Sequence, residues 1–206
     1  MLSEQQNSLI TVPCWPNGID ISNHQPQFDW AAWNGHIQFA SVKATEGLTF
    51  QDAWFGYNWE WMEKIGVFRF AYHYAHPNLD PVKQAKFLVD YVKLHGLKRH
   101  DNFVLDLEET NGRSPREVSF WAWVFCHTIN QITGQRVLVY TYPSFAEAGN
   151  CAMLGGWGLW IANYGVPQPT VPAPWKYWRF WQYTSDPLDL DRWNGDEMTL
   201  AQYCAR

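Results

Sequence analysis

Eight short β-rich runs, most of them separated by stretches with helical periodicity, constrain the fold more than any other feature of the chain. They are GIDIS (18–22), FASVKAT (39–45), VFRFAYHYA (67–75), FVLDLEE (103–109), RVLVYTY (136–142), GLWIANY (158–164), WRFWQYT (178–184) and LDLDRW (188–193). Most are nearly continuous in apolar character rather than alternating, which is the pattern of strands covered on both faces. Between the earlier runs, the spacing predicts helices over 53–66 and 80–96, each ending at a glycine, the second opening on Asp80 and Pro81. A third is predicted over 114–134, with Ser114 as N-cap, Pro115 at the first helical position and Glu117 completing a capping box. Another helix is expected from Pro143. After Tyr164 the helical patterns vanish, and GVPQPTVPAPW reads as a proline-rich loop.

Strand and helix in alternation predict parallel βαβ units. Eight strands predict an α/β fold closed into a barrel whose last three strands lack full helices, in a chain shorter than the usual ~250 residues. An open doubly wound sheet is the alternative, but no GxGxxG or GxxxxGK[ST] supports a nucleotide role for it. The expected organisation is an irregular lead-in over residues 1–17 and one catalytic barrel over 18–206.

Net charge is −5 with no basic cluster, which excludes nucleic acid as the main ligand, since phosphate binding needs concentrated Lys and Arg. Nor does any run of about 18 apolar residues mark a membrane span. The first residues, MLSEQQNSLITVPCWPNG, have neither a basic n-region nor a long apolar core, so no signal peptide is expected. Cys14, Cys126, Cys151 and Cys204 form no CxxC pair, and their spacing speaks against zinc. Four buried thiols are the default, with a Cys14–Cys204 disulfide as the alternative. Tryptophan is the outlier, at 14 of 206 residues. Core packing accounts best for most of them, yet such an excess also favours a carbohydrate or other flat, hydroxylated ligand.

The segment NFVLDLEET poses the sharpest question, because a buried strand runs straight into Asp106, Glu108 and Glu109. In extended chain Asp106 and Glu108 share one face and Glu109 takes the other. Two acids on one face of a buried strand are costly unless something uses them. In a barrel, sites gather at the C-terminal ends of the strands. Asp20 in GIDIS, the Asp106–Glu108 pair, and Asp189 or Asp191 in LDLDRW all fall near such ends, with strands one and eight adjacent and strand four across the mouth. Singly, each aspartate has a plainer reading: Asp20 as a turn cap, Asp191 paired with Arg192 or Lys176 at the surface. Together they predict one pocket in which repulsion keeps an acid protonated. That is the equipment of glycoside hydrolysis. The same cluster suits Mg²⁺ or Ca²⁺ in phosphoester chemistry, with His24, Lys43, His73 and His76 as phosphate partners. A non-catalytic glycan-binding barrel is the third reading.

Seven ordered motifs, GIDISNHQPQFDW, ASVKATEGLTFQD, FAYHYAHP, FVLDLEE, VLVYTYPSF, LWIANYG and FWQYT…DLDRWNG, together resemble the glycoside hydrolase family 25 lysozymes, from Asn17 to Gly195. The resemblance implies a (β/α)5(β)3 barrel and N-acetylmuramidase activity on bacterial peptidoglycan, with no cofactor and no metal. By motif position it implies Glu108 as general acid and Asp106 as its companion, with Asp20 and Asp189 as the acids of the first and last motifs. The family usually shows Asn where this chain has Asp191, an added charge expected to raise a neighbour's pKa or to face solvent. Tyr72, Tyr74, Tyr140, Trp160 and Gln182 are expected substrate contacts. Lys43 is read as support, neutralising Asp20 or Glu46; Glu109 as a salt-bridge or turn residue; His73 and His76 as hydrogen-bonded structural residues. A monomer acting at the cell wall is expected, with no membrane insertion. If phage-encoded, as an endolysin would be, it would leave the host cytoplasm through a holin-made pore.

Overall fold

The computed structural model describes residues 17–205. The expected lead-in, Asn17 apart, therefore lies outside the described residues, as does Cys14. In chain order the elements are β1 (Asn17–Ile21), α1 (Trp30–Trp33), β2 (Phe39–Glu46), β3 (Phe50–Gln51), α2 (Phe55–Ile65), β4 (Phe68–Tyr74), α3 (Pro81–Leu94) and β5 (Asn102–Asp106). There follow α4 (Pro115–Thr133), β6 (Val137–Thr141), α5 (Pro143–Phe145) running into a π-helical turn (Ala146–Asn150), β7 (Gly158–Ala162), β8 (Phe180–Thr184), β9 (Asp189–Trp193) and α6 (Glu197–Cys204).

The sheet runs β1-β9-β8-β7-β6-β5-β4-β2-β3, and pairing of β1 with β2 closes it. With the two-residue β3 set aside as a hairpin flange on β2, eight strands make the barrel. Seven of them, β1, β2 and β4 to β8, pair in parallel in succession, but β9 runs antiparallel to both β1 and β8. Loop length dictates this departure. Only residues 185–188 separate β8 from β9, whereas a parallel return needs a crossover of a dozen or more residues.

Capping fixes the helices where the sequence predicted them. Ser114 and Glu117 form the reciprocal box at the start of α4, and Asp80 accepts from the Lys83 N–H at the start of α3. Gly66 ends α2 at φ 76°, a left-handed position that glycine adopts without steric cost. One element contradicts the expectation that helices vanish after Tyr164. Asp196 caps α6 through the Thr199 N–H, and Leu200 and Cys204 are buried one turn apart.

That C-terminal helix plugs the barrel floor. Phe39, Phe70, Val104, Leu138, Trp160, Phe180 and Trp193 fill the lower interior and meet Leu200 and Cys204 from α6. The Trp160 ring stacks on Phe180 with centroids 4.6 Å apart, and Phe39 meets Phe180 edge-on at 4.9 Å. Gly18 makes room for this, because a Cβ there would lie 2.2 Å from the Phe39 ring. Each fully buried ring contributes about 1.5–3 kcal/mol, so the floor is a rigid base for whatever stands above it. A second, larger core lies outside the strands, where Trp59, Met62, Leu88, Val92, Phe125 and Ile129 pack the helices onto the barrel. Cys126, Cys151 and Cys204 are buried free thiols.

Candidate active site

Above the aromatic floor, at the C-terminal ends of the parallel strands, lies a cavity of about 380 Å³. Asp20, Asp106, Glu108 and Asp189 all line it, together with Tyr72, Tyr74, Tyr140, Trp160 and Gln182. The structure thus brings together every residue that the sequence assigned to the site. Asp20 and Asp189 are register partners on β1 and β9. Asp189 reaches the mouth because it begins an antiparallel strand, and not because it ends a parallel one as the sequence pattern implied. Asp106 is the last residue of β5, and Glu108 follows in the loop yet still faces the cavity.

The acids differ in surroundings. Asp106 is 9% exposed, and its Oδ1 is buried with no hydrogen-bond partner among the described residues. Burial first, and then the charges of Glu108 and Asp20, hold its carboxyl well above the usual carboxylate range. Glu108 is half-buried, and burial followed by Glu109 and Asp189 raises it too. Asp20 is pushed up to about 7, by burial and then by Asp189, against the lowering effect of its bond from Gln182. Burial also raises Asp189. Crowding of carboxyls in a poorly solvated cleft favours their protonated forms, an arrangement suited to an acid able to donate beside a neighbour able to carry charge.

Hydrogen bonds fix one wall. Gln182 Nε2 donates to Asp20 Oδ2 at 2.5 Å, while Gln182 Oε1 accepts from the Tyr140 hydroxyl at 2.9 Å and from Tyr164. Tyr164 was not singled out from the sequence, although continued alternation from Trp160 through Ala162 puts it on the inner face. Trp160 is 1% exposed, held by the floor, and donates to Asp191 Oδ1 at 2.8 Å. It closes the bottom of the cavity rather than forming an open stacking wall. Core packing, the reading favoured for most of the tryptophans, holds among the described residues: the indoles serve mainly the core, and tyrosines line the cleft. The reading of Asp191 is corrected. It is 0% exposed inside the barrel, neither on the surface beside Arg192 or Lys176 nor facing solvent.

The supporting residues take simpler roles. Lys43 Nζ donates to Glu46 Oε2 at 2.7 Å, so of its two candidate partners it pairs with Glu46. His73 lies fully buried between Thr45 and Gln84; burial lowers its pKa to about 4 and keeps it neutral. His76 Nε2 contacts Glu46 Oε1 at 3.0 Å. Of the four basic residues named as phosphate partners, His24 and Lys43 line the cavity, Lys43 bonded to Glu46, whereas His73 and His76 do not line it. Glu109 points away from the cavity and accepts from the Tyr74 hydroxyl at 2.9 Å and from Asn111 Nδ2 at 3.0 Å, in a turn where Asn111 has φ 46°.

The family model for glycosyl hydrolases family 25 matches residues 19–190, most of the chain and all four acids but one residue short of Asp191. The chain belongs to glycosyl hydrolases family 25. It is accordingly a glycoside hydrolase. It is 30% identical over 197 residues to N,O-diacetylmuramidase of Arthroderma benhamiae, an alignment covering 87% of this chain and 79% of the relative. It is also 30% identical over 210 residues to lysozyme M1 of Streptomyces globisporus, covering 89% and 69% respectively. Among solved structures, the bacterial lysozyme from Streptomyces coelicolor superposes with a TM-score of 0.84 at 28% identity, covering 94% of this chain and 98% of that one. The family 25 barrel read from the motifs is therefore the observed fold, with β9 as its antiparallel closing strand.

Proposed function

We propose that this chain is a peptidoglycan muramidase, cleaving the β-1,4 bond between N-acetylmuramic acid and N-acetylglucosamine. One observation carries the reading. Asp106 presents a buried oxygen with no hydrogen-bond partner among the described residues, two residues from the half-buried Glu108, which lines the same cavity. A buried acceptor without a donor is costly, and the N–H of a sugar's 2-acetamido group is the donor that would satisfy it. The names of the relatives at 30% identity point to the same substrate class.

In this reading Glu108, kept protonated by burial and by its acidic neighbours, gives its proton to the glycosidic oxygen as the bond to the anomeric carbon breaks. Asp106 holds the acetamido N–H, and the acetamido oxygen attacks the anomeric carbon to give an oxazolinium-like intermediate. Glu108, now ionised, takes a proton from water as its oxygen opens that ring. Asp20 and Asp189 stabilise the positive charge that develops, while Tyr72, Tyr74, Tyr140 and Gln182 hold the sugar, with Trp160 beneath it.

Two assays test this. Turbidity loss of bacterial walls should proceed unchanged in excess EDTA and stop in Glu108→Gln; chelator sensitivity would favour metal phosphoester chemistry, and an active Glu108→Gln would remove Glu108 from the acid role. NMR of the first-formed anomer should show retention, whereas inversion would exclude acetamide participation. Binding to walls without any turbidity loss would favour a non-catalytic glycan-binding barrel.

A further inference from the structure

Asp191 is a fully buried acid that the reaction above leaves unused. It stands on β9 opposite Gly18, where the Phe39 ring fills the room a side chain would take, and is sealed inside the barrel. Trp160 Nε1 donates to its Oδ1 at 2.8 Å, whereas its Oδ2 is buried with no hydrogen-bond partner among the described residues. On β1 the next inward-facing residue after Gly18 is Asp20, so Asp191 and Asp20 are diagonal neighbours on the inner face, and Gln182, the register partner of Asp191 on β8, bonds Asp20. Two ionised carboxylates cannot lie so close in a poorly solvated interior; one proton between them removes the repulsion and supplies the missing bond.

Location decides which acid holds that proton. Asp20 opens onto the cavity and already accepts from Gln182 Nε2, a bond that favours its charged form. Asp191 lies deeper, and the charges bearing on it are those of Asp20 and Asp189. Its neighbours on β7 and β8, Trp160 and Gln182, carry none, and Arg192 turns to the outer face against Tyr183 and Trp181. We propose that Asp191 is a positioning residue, a protonated carboxylic acid that donates to Asp20 and so fixes the charged Asp20 at the floor of the cavity. An amide at this position would supply the same donor permanently; the carboxyl supplies it only while protonated. Asp191 therefore ties the geometry of the site to pH. This role rests on the glycosidase reading for its effect on turnover, but the shared proton does not.

Asp191→Asn keeps the shape, the acceptor for Trp160 and a donor for Asp20, whereas Asp191→Leu keeps only the shape. Against soluble peptidoglycan fragments, Asp191→Leu should lose at least about tenfold in kcat, the worth of one modest hydrogen bond to a charged group. Asp191→Asn should recover activity and carry the alkaline limb of the pH–rate profile upward by about one pH unit or more. A wild-type profile in Asp191→Asn, or damage equal to that of Asp191→Leu, would overturn the proposal. Two measurements need no substrate. The wild type at neutral pH should show the infrared band of a buried protonated carboxyl that disappears in Asp191→Asn; an unchanged band would sink the idea. Because the folded chain holds this proton more tightly than the unfolded one, wild-type stability should fall relative to Asp191→Asn as pH rises above the ordinary carboxylate range. Parallel stability curves would contradict it. If the wild type cleaves no peptidoglycan, the proposed function fails while these last two measurements still decide the proton.

Discussion

Two buried sets of carboxylates in this barrel are treated in opposite ways. On the outer side of β4, Arg69 is 4% exposed and its guanidinium grips Asp101 through two bonds of 2.8 Å, while Nη1 reaches the Trp59 carbonyl and Glu63 at 3.1 Å. Arg69 also lies 4.2 Å over the Trp59 ring. At the mouth, Asp20, Asp106, Glu108 and Asp189 crowd one cavity, and the nearby cation, Lys43, is bonded to Glu46. Where charge serves the fold it is neutralised and bidentate. Where acids stand together without counter-charge, the fold carries a repulsive cost that only a ligand or a reaction relieves.

The largest effect expected on this contrast is catalytic. Glu108→Gln should lower kcat on soluble peptidoglycan fragments by roughly 10²–10⁴-fold, with a thermal midpoint equal to or above that of the wild type. An accompanying loss of stability would mean that Glu108 belongs to the structural set. Next, Asp101→Ala leaves Arg69 buried and under-paired and should cost about 3–5 kcal/mol in denaturant unfolding, while turnover per folded molecule stays the same. A neutral result would erase the distinction between the two sets.

Asp106→Asn sharpens the comparison, because it should stabilise the fold and slow the reaction together. The sign follows from the raised carboxyl: the folded state holds the proton more tightly, so this group's contribution is complete below the ordinary value of 3.8 and is lost as pH rises toward the folded value. Thermal melts from pH ~4 to ~8 should thus fall less steeply in Asp106→Asn than in the wild type. The smallest effect is expected at Tyr140→Phe. It removes one of two hydroxyl donors to Gln182 and should cost ~0.5–1.5 kcal/mol, read as a few-fold drop in kcat/KM.

Much of this was legible in the sequence because local signals and global fold agree. The capping box at Ser114 and the glycine stop at Gly66 mark helices by chemistry that acts within a few residues. The reversal of β9 was legible in principle from a four-residue loop, yet the apolar pattern of LDLDRW carries no direction. The helix α6 was missed because its buried face is only Leu200 and Cys204, although Asp196 and Thr199 mark its start. For the site, same-face spacing placed Asp106 and Glu108 together, and motif order supplied Asp20 and Asp189. Spacing could not reveal that Trp160 belongs to the floor, that Tyr164 reaches Gln182, or that Asp191 lies sealed beside Asp20, because each depends on which neighbour closes over the residue.

Mass spectrometry of the fragments released from purified peptidoglycan tests the central claim most directly. The wild type should produce fragments with N-acetylmuramic acid at the new reducing end, and Glu108→Gln should produce none. Fragments ending in reducing N-acetylglucosamine, or cleavage in the stem peptide, would contradict it.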